Sequence, residues 1–270
     1  MIAILLCTYN GSKYLSAQID SILEQTYQNY VIYVHDDGST DETLTIISSY
    51  MQKYPDRLVY KVDENKHRGA GASFMWLLQN IESDYYMFCD QDDIWLPTKI
   101  EHTFNKMKEM EKLYPSLPIL IHSDLHITDC DLNITYDSFW KYQNFKVDLS
   151  KQKQYIAFGN IVTGCTMMIN RMLKEVAFPY PSNLLHDYWL ALKAAQYGKI
   201  DNIKEKTILY RQHGDNEAGV GSKYSKKRVS FFNFFANLSQ ELARYKMVSS
   251  GNMFGWFIHR VIYFFYRHLR

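Results

Sequence analysis

The chain has 270 residues, 47% of them apolar and 16% aromatic, with a formal net charge of +1 at pH 7. The length suits one large domain, or one domain with an appendage, and the apolar content excludes a chain that stays disordered. The four cysteines are scattered without paired metal-binding spacing, and three of them lie in or beside apolar runs, which is typical of small buried residues in a reduced compartment.

The first 125 residues alternate short apolar runs with segments that carry apolar residues at helical spacing. Leu15, Ile19 and Ile22 set this spacing in the first such segment. Predicted strands cover 2–7, 30–34, 58–62, 85–89 and 119–124, and predicted helices lie within 13–26, after 40, around 73–81 and over 97–113. Strands that alternate with helices predict an α/β fold with a mainly parallel sheet flanked by helices.

Polar clusters follow three of these predicted strands: TYNG at 8–11, DDGSTD at 36–41 and DQDD at 90–93. Ligands bind beyond the carboxyl ends of strands in such sheets, so the clusters should converge in one crevice. The DQDD cluster holds three carboxylates, and like charges about 4 Å apart repel by roughly 4 kcal/mol at an effective dielectric constant near 20. It therefore favours a cation, a proton or water. The alternative is a solvated turn in which an aspartate caps the next helix.

The sequence shows no glycine-rich phosphate loop that would hold a nucleotide. The RGAGAS segment at 68–73 lacks the Lys-Ser/Thr ending of a P-loop, so it predicts either a close turn into a helix or a loop near phosphate. A diphosphate would then need a metal. A carboxylate such as Asp92 can hold Mg²⁺ or Mn²⁺, because hard cations prefer oxygen ligands.

Beyond residue 130 the regular alternation ends. A glycine interrupts a predicted strand at 160–170, and 207–216 is predicted to be a last strand that leads into a loop. A helix is predicted over 186–198, with Gly198 as its C-terminal stop. Asp187 lies at the start of that helix, where an aspartate is typical of an N-cap.

Three motifs in this order, LLCTYNGSKYLSAQIDSILEQTY, VHDDGSTDET and CDQDDIWLPTK, strongly resemble the nucleotide-binding half of glycosyltransferase family 2. A weaker resemblance, to the bacterial rhamnosyltransferase branch, continues through TGCTMMINR, LLHDYWLAL and YRQHGDN. The resemblance implies a GT-A fold, which is Rossmann-like, and an inverting transfer from a nucleotide-diphosphate sugar. The Gln-x-x-Arg-Trp motif of the processive synthases is absent, which favours the transfer of one sugar per acceptor visit.

The resemblance also implies roles for residues of the donor site. Tyr9 would pack on a pyrimidine ring, Asp37 would bond the edge of that ring, and Asp90 would lie by the ribose. Asp92 would ligate the metal, Mg²⁺ or Mn²⁺, and Asp93 would support the same loop. The implied donor-nucleotide residues are Thr8, Tyr9, Asp37 and Asp90.

The acceptor half needs a general base, and the resemblance assigns this role to Asp187. The family commonly has a Glu-Asp or similar pair here, whereas this chain has His186–Asp187. His186 would orient the acceptor or only pack. His213 would approach the metal or the diphosphate, or it is an ordinary surface histidine. Arg211 would offset the negative charge of a phosphate, or it would pair with the acidic body of the protein.

The end of the chain differs from the rest in charge and in aromatic content. From Ser222 onward nine Lys or Arg residues stand against one Glu, a formal +8 that leaves −7 for residues 1–221. Apolar residues recur there at helical spacing and form a stripe: Phe254, Phe257, Ile258, Val261, Ile262 and Phe265. The stripe packs on protein or lies in a membrane interface, and the basic charge favours the membrane. We predict a GT-A catalytic domain at 1–221, with halves at 1–125 and 126–221, and a helical tail at 222–270.

The resemblance implies a metal-dependent hexosyltransferase, and its rhamnosyltransferase branch implies dTDP-rhamnose as the donor. Its acceptor would be a lipid-linked oligosaccharide of cell-surface polysaccharide synthesis, and no nucleic-acid partner is expected. The sequence shows neither a signal-peptide pattern nor an apolar run of spanning length, so the expected location is the cytoplasm, peripheral at the inner face of the cell membrane.

Two rival functions remain at this stage. A sugar nucleotidyltransferase would need a glycine-rich signature with a basic residue after the first strand, whereas this chain has TYNGSKY. A catalytically silent membrane adaptor of the same fold would not need the aspartates at 37, 90, 92 and 187, which are all present.

Overall fold

The computed structural model describes residues 1–64, 67–151, 153–181, 183–214, 231–249 and 251–268. The basic segment 223–228 and the last two residues of the predicted 207–216 strand and loop lie outside this range. The strands are β1 (Ile2–Thr8), β2 (Tyr30–Asp36), β3 (Leu58–Tyr60), β4 (Tyr85–Cys89), β5 (Ile94–Trp95), β6 (Ile119–Thr128), β7 (Ile134–Tyr136), β8 (Met168–Asn170) and β9 (Lys199–Arg211). The helices are α1 (Leu15–Leu23), α2 (Thr43–Lys53), α3 (Ala70–Asn80), α4 (Lys99–Leu113), α5 (Phe139–Tyr142), α6 (Lys153–Ile156), α7 (Arg171–Val176), α8 (His186–Tyr197), α9 (Phe231–Val248) and α10 (Met253–His268). Val147–Lys151 and Gly164–Thr166 form 3₁₀ turns.

The described strands form one sheet in the order β3-β2-β1-β4-β8-β6-β9-β5, with β7 paired to β6. Strands β1 to β4 pair in parallel, and so do β6 and β9. Strand β8 runs antiparallel between β4 and β6, and β5 runs antiparallel to β9. The predicted α/β fold, with helices on a mainly parallel sheet, is confirmed. The antiparallel β8 joins its two halves.

Strand β1 shows why the core has two layers. All its residues are buried, and successive side chains point to opposite faces of the sheet. Ala3 and Leu5 belong to the layer built with α3 and α8, whereas Ile2 and Ile4 belong to the layer built with α1, α2 and α4. A strand buried on both faces appears in sequence as a continuous apolar run, which is how β1 was predicted.

Two predictions for the second half of the chain need correction. Of the strand predicted at 160–170, only β8 is extended, because the chain turns at Gly164–Thr166. Strand β9 begins at Lys199 instead of residue 207, because the exposed Lys204 and Glu205 interrupt its apolar pattern.

The tail helices pack on the same core as α8. Tyr245 and Val248 of α9 and Trp256 of α10 are buried in the layer that holds Leu190 of α8. Arg260 of α10 donates to Glu241 of α9 at 2.7 Å. None of the helices in the described ranges combines the length and apolarity needed to cross a bilayer.

Candidate active site

The three polar clusters predicted from the sequence lie at one edge of the sheet. Strand β1 is flanked by β2 on one side and β4 on the other, all running in the same direction. Thr8 is the register partner of Asp36, and Leu6 is that of Cys89. Residues 8–11, 36–41 and 90–93 therefore leave neighbouring strands at their carboxyl ends. We call residues 90–93 the aspartate loop.

A glutamine ties the end of β1 to the aspartate loop. The backbone N–H of Tyr9 donates to Gln91 Oε1, and Gln91 Nε2 donates to the carbonyl of Tyr9, both at 2.9 Å. A Cβ on Gly11 would come within 2.1 Å of Gln91 Oε1, so any other residue there would force Gln91 to move. The ring of Tyr9 is 48% exposed and meets His67 edge-on, with 5.7 Å between ring centroids. The sequence did not single out Gln91, although its place between two aspartates was a signal.

The loop after β2 is held by backbone amides. Thr8 Oγ1 donates to Asp36 Oδ2 at 2.8 Å, so the Thr8 side chain is buried against this loop. The two oxygens of Asp37 accept the N–H groups of Arg68 and Gly69 at 2.8 and 2.9 Å. Gly69 has a φ of +78° and precedes α3. The RGAGAS segment thus makes a close turn into a helix, and its first amides bind Asp37.

The aspartate loop is also bound to the end of β9. Asp92 Oδ2 and His213 Nε2 are 2.8 Å apart, and both side chains are largely buried. Arg211 Nε donates to the carbonyl of Asp92 at 2.8 Å, and the Arg211 N–H donates to Asp93 Oδ1 at 3.1 Å. The ring of Tyr14 lies 4.5 Å from the Arg211 guanidinium and 4.8 Å from the His213 ring. The described contacts of Arg211 therefore hold the aspartate loop against the end of β9.

A buried cluster lies behind Asp92. Ligand atoms of Asp90, Asp93 and Cys165 all lie within 4.8 Å of one another. Burial, followed by the charges of Asp92 and Asp90, raises the pKa of Asp93 well above its usual range. Burial also raises the pKa of the Cys165 thiol, which therefore stays protonated and is a poor ligand for a hard cation. The carboxylate of the less buried Asp92 and the His213 ring, 2.8 Å apart, are ligand types that suit Mg²⁺ or Mn²⁺.

A buried lysine supports the same region. Lys99 is fully buried, and its Nζ lies 4.5 Å from the centroid of the Trp95 ring. Burial lowers the pKa of Lys99 to about 8, and the neighbouring Cys165, Cys89 and Asp93 oppose this shift. An ammonium group in this position offsets part of the repulsion among the carboxylates. No sequence pattern indicated this role, because a lysine two residues after a proline suggests an exposed helix start.

Asp187 lies in the first turn of α8. The helix begins at His186, with its N-cap one residue earlier, so Asp187 is not the N-cap residue. Its Oδ1 accepts the N–H of Tyr188 at 2.5 Å. Burial raises the pKa of Asp187 to about 6, while hydrogen bonds from backbone groups and from the Asn160 side chain act in the opposite direction. A carboxyl with this pKa is ionised at neutral pH and basic enough to take a proton.

His186 is a packing residue in this structure. Its ring lies 4.4 Å from that of Phe74 and 5.4 Å from that of Phe88, measured between centroids. Burial lowers the pKa of His186 to about 3, so the imidazole is neutral at physiological pH. A Cβ on Gly164 would lie 2.8 Å from His186 Nε2, which leaves no space between them. Of the two roles considered for His186, the geometry favours packing.

The start of α8, which holds Asp187, lies close to two other parts of the sheet edge, the 68–73 segment and the Gly164–Thr166 turn. A Cβ on Gly71 would lie 3.6 Å from the backbone nitrogen of His186, so the first turn of α3, next to the amides that bind Asp37, packs on the start of α8. A Cβ on Gly164 would lie 3.6 Å from that of Asp187, and the next residue, Cys165, borders the aspartate loop. These contacts place the start of α8 beside the 68–73 segment, and they place Asp187 beside the turn that borders the aspartate loop.

The chain is similar in sequence to known glycosyltransferases. A sequence model of Glycosyl transferase family 2 matches residues 3–176. The chain is 29% identical over 217 residues to an uncharacterized glycosyltransferase of Rickettsia typhi, which covers 79% of this chain but only 64% of that protein's length. It is 29% identical over 237 residues to the dTDP-rhamnosyl transferase RfbG of Shigella flexneri, covering 82% of this chain and 76% of RfbG. It is 28% identical over 218 residues to WfaP of Escherichia coli, a UDP-Glc:alpha-D-GlcNAc-diphosphoundecaprenol beta-1,3-glucosyltransferase, covering 79% of this chain and 78% of WfaP.

Solved structures share the fold at low sequence identity. The mannosyltransferase PcManGT from Pyrobaculum calidifontis, in complex with GDP-Man and Mn²⁺, superposes with a TM-score of 0.65 at 18% identity, over 99% of this chain and 70% of PcManGT. Residues 1–349 of TarS from S. aureus, in complex with UDP-GlcNAc, give a TM-score of 0.62 at 18% identity, over 90% of this chain and 66% of the TarS chain. The α/β fold is therefore of the GT-A type.

Proposed function

The chain belongs to glycosyltransferase family 2, and from this membership we propose that it transfers one sugar from a nucleotide-diphosphate donor, with inversion. The proposed donor is dTDP-rhamnose, and the proposed acceptor is a lipid-linked oligosaccharide of cell-surface polysaccharide synthesis. The rhamnosyl relative RfbG supports the donor, and the diphosphoundecaprenol-linked substrate in the name of WfaP supports the acceptor.

The observation that carries this proposal is the position of Asp187, with its raised pKa, between the loop that binds Asp37 and the turn that borders the aspartate loop. Asp187 takes the proton of the acceptor hydroxyl as the oxygen attacks the anomeric carbon. The new bond forms on the face opposite to the leaving diphosphate, and the electron pair of the broken bond leaves with that diphosphate. Alignment of the two reactants supplies much of the remaining rate.

The proposed roles in the donor site are those that the family resemblance implies. The exposed ring of Tyr9 would stack on the base, Asp37 would bond its edge, Asp90 would contact the ribose, and Thr8 would shape the loop beneath it. A divalent cation, Mg²⁺ or Mn²⁺, when bound by Asp92 and His213, would stabilise the negative charge of the leaving diphosphate. Arg211 and Asp93 would hold Asp92 in position.

The tail would keep the enzyme at the inner face of the cell membrane. The exposed apolar residues of α10 and the formal +8 charge after Ser222 support this part of the proposal. Aromatic side chains settle at headgroup depth, and each basic residue near anionic lipid contributes about 1 kcal/mol.

The decisive experiment compares Asp187→Asn with the wild-type protein in a transfer assay that contains Mn²⁺ and dTDP-rhamnose. We expect donor binding and Tm to be preserved while transfer falls by roughly 10²–10⁴-fold, which is the usual contribution of a general base. Asp148→Asn, at an exposed aspartate of the acceptor half, is the matched control and should keep full activity. Wild-type turnover in Asp187→Asn would reject this base. A wild-type protein that neither transfers nor hydrolyses any nucleotide sugar would instead be a silent adaptor.

A further inference from the structure

The carboxyl of Asp187 accepts hydrogen bonds from two parts of the chain. One comes from the N–H of the next residue, Tyr188, at 2.5 Å. The others come from the segment before β8, where the backbone of Gly164 and the side chain of Asn160 both bond Asp187. We call residues 156–164 the base segment. Asn160 contributes a side chain to this set, so its part can be changed without altering the backbone.

The orientation of the Asn160 amide follows from its second contact. The Val162 N–H donates to Asn160 Oδ1 at 3.0 Å, so the amide oxygen faces that turn. An ionised carboxylate only accepts hydrogen bonds, so the bond to Asp187 comes from the amide nitrogen. The Asn160 side chain thus bridges the turn and the proposed base, with its acceptor on one side and its donor on the other.

The base segment is also fixed at its other end. The hydroxyl of Tyr188 donates to the carbonyls of Ile156 and Ala157 at 3.0 and 3.1 Å. The ring of Phe158 packs on the tail, with 5.6 Å between its centroid and that of Tyr263 in α10. The segment that carries the amide is therefore bonded to α8 on one side and packed against the tail on the other.

The titratable side chains around the base do not supply a charge that would keep it ionised. Burial lowers the pKa of His186 to about 3 and raises the pKa of Tyr188 to about 12. Burial also raises the pKa values of Tyr180 and Cys165, so all four groups are neutral at pH 7. The guanidinium of Arg244 in α9 faces the Tyr188 ring, 5.4 Å from its centroid. In the described part of the chain, hydrogen bonds are what lower the pKa of the base.

We propose that Asn160 is a positioning residue for the base: its amide nitrogen donates to the Asp187 carboxylate and keeps it ionised and oriented before the acceptor binds. This inference rests on the proposed function, which makes Asp187 the base. In the reaction the proton of the acceptor hydroxyl passes to Asp187, and Asn160 keeps both of its amide protons. The alternative is that Asn160 only caps the turn that contains Val162.

Two variants separate these roles. Asn160→Asp keeps an oxygen for the Val162 N–H, but it replaces the donor that faces Asp187 with a second acceptor. Two carboxylates in contact hold a proton to a higher pH, and it stays mainly on Asp187, whose pKa of about 6 exceeds the ordinary value near 3.9. Asn160→Ala removes both contacts. Asn80→Asp, at an exposed asparagine at the end of α3, is the matched control.

The first measurement does not depend on the reaction. Protein labelled with ¹³C at the aspartate carboxyl carbons is titrated by NMR, and the signal that Asp187→Asn lacks is that of Asp187. It should titrate near pH 6 in the wild-type protein and in Asn80→Asp. In both Asn160 variants it should titrate roughly one to two pH units higher, because a hydrogen bond to a charged group is worth such a shift. The same midpoint in Asn160→Asp as in the wild-type protein would overturn the inference, whatever the reaction.

The second measurement is the pH profile of transfer from dTDP-rhamnose with Mn²⁺. The acceptor is a short-chain analogue of GlcNAc-diphosphoundecaprenol, the substrate in the name of WfaP. In both Asn160 variants kcat should fall roughly tenfold at pH 6 and come within about twofold of wild type at pH 8.5, because Asp187 ionises later.

Two kinetic results would contradict the role of Asn160. A turn cap alone would leave Asn160→Asp with the wild-type profile, and general damage to the fold would lower kcat by the same factor at every pH. Asn160→Asp keeps the cap, so it stays informative if Asn160→Ala does not fold. A shifted NMR midpoint in a protein that transfers no sugar at any pH would contradict only the proposed function.

Discussion

Asp187 is the residue whose ionisation should control the reaction. Burial raises its pKa to about 6, so it is protonated below that pH and cannot accept the proton of the acceptor. We expect kcat to rise about tenfold per pH unit up to roughly pH 6 and to level off above it. The measurement is a pH profile with saturating donor and acceptor. A profile that stays flat through this range would show that another group limits the rate.

The second prediction at the residue scale concerns the bond between Tyr9 and Gln91. Gly11→Ala would push Gln91 away, because the new Cβ would come within 2.1 Å of Gln91 Oε1. Loss of the two hydrogen bonds, each contributing about 0.5–1.5 kcal/mol, should weaken dTDP binding roughly tenfold or more in calorimetry. Gly214→Ala is the matched control, since a Cβ there meets nothing within 4 Å. If both variants bind dTDP with the same affinity, the hydrogen bonds between Tyr9 and Gln91 do not contribute to donor binding.

The third prediction concerns Asp92. Asp92→Asn removes one of the mutually repelling carboxylates, so the fold should persist and Tm without metal should not fall. The increase in Tm that Mn²⁺ and dTDP together give the wild-type protein should be lost, because binding to the folded state stabilises it. Thermal unfolding with and without Mn²⁺ measures both effects. If Mn²⁺ still raises the Tm of the variant by the full amount, residues other than Asp92 bind the metal.

Residue identities alone were enough to name the aspartates but not the residues that support them. Asp37, Asp92 and Asp187 stand out because carboxylates follow strands or begin a helix. Lys99 and Cys165 look unremarkable in sequence. Their importance comes from tertiary packing, which brings the Gly164–Thr166 turn and α4 next to the aspartate loop, and no local pattern encodes that contact.

At the scale of elements, the nucleotide-binding half was predictable because its strands are buried on both faces and its helices are amphipathic. Strands β5 and β7 were missed, since two or three residues are too short to show a period. The short helices α5, α6 and α7 were missed for the same reason. In the acceptor half, the positions of the short helices and strands depend more on their contacts with the sheet than on local sequence.

Helix α10 carries the prediction at this scale. Phe254 and Phe257 are 72% and 57% exposed, and burial of a Phe side chain contributes about 1.5–3 kcal/mol. Phe254→Ser combined with Phe257→Ser should therefore lower binding to anionic vesicles at least tenfold in flotation, without lowering Tm. Tyr142→Ser, at an exposed aromatic residue outside the tail, should bind as wild type does. Added salt should weaken the wild-type binding. Unchanged flotation of the double variant would exclude this face as the membrane contact.

For the whole molecule, the opposite charges of body and tail led to a predicted boundary at residue 221, and the boundary stays a prediction. The packing of α9 and α10 on α8 provides a physical test of this boundary. Tyr245, Val248 and Trp256 are buried in the same layer as Leu190, so a chain that ends at residue 221 would leave that layer open to water.

The last prediction follows from this shared core. Loss of large buried side chains costs about 2–5 kcal/mol each, so the shortened chain should unfold at a Tm lower by at least about 5 °C. A shortened chain that fails to float with vesicles would then be ambiguous, because partial unfolding also alters lipid binding. The exposed-face variants of α10 avoid this problem, since they leave the inner contacts of Tyr263 and Trp256 in place. If the shortened chain instead kept the Tm of the full protein, residues 1–221 would form an independent domain, and the tail would contribute binding without contributing stability.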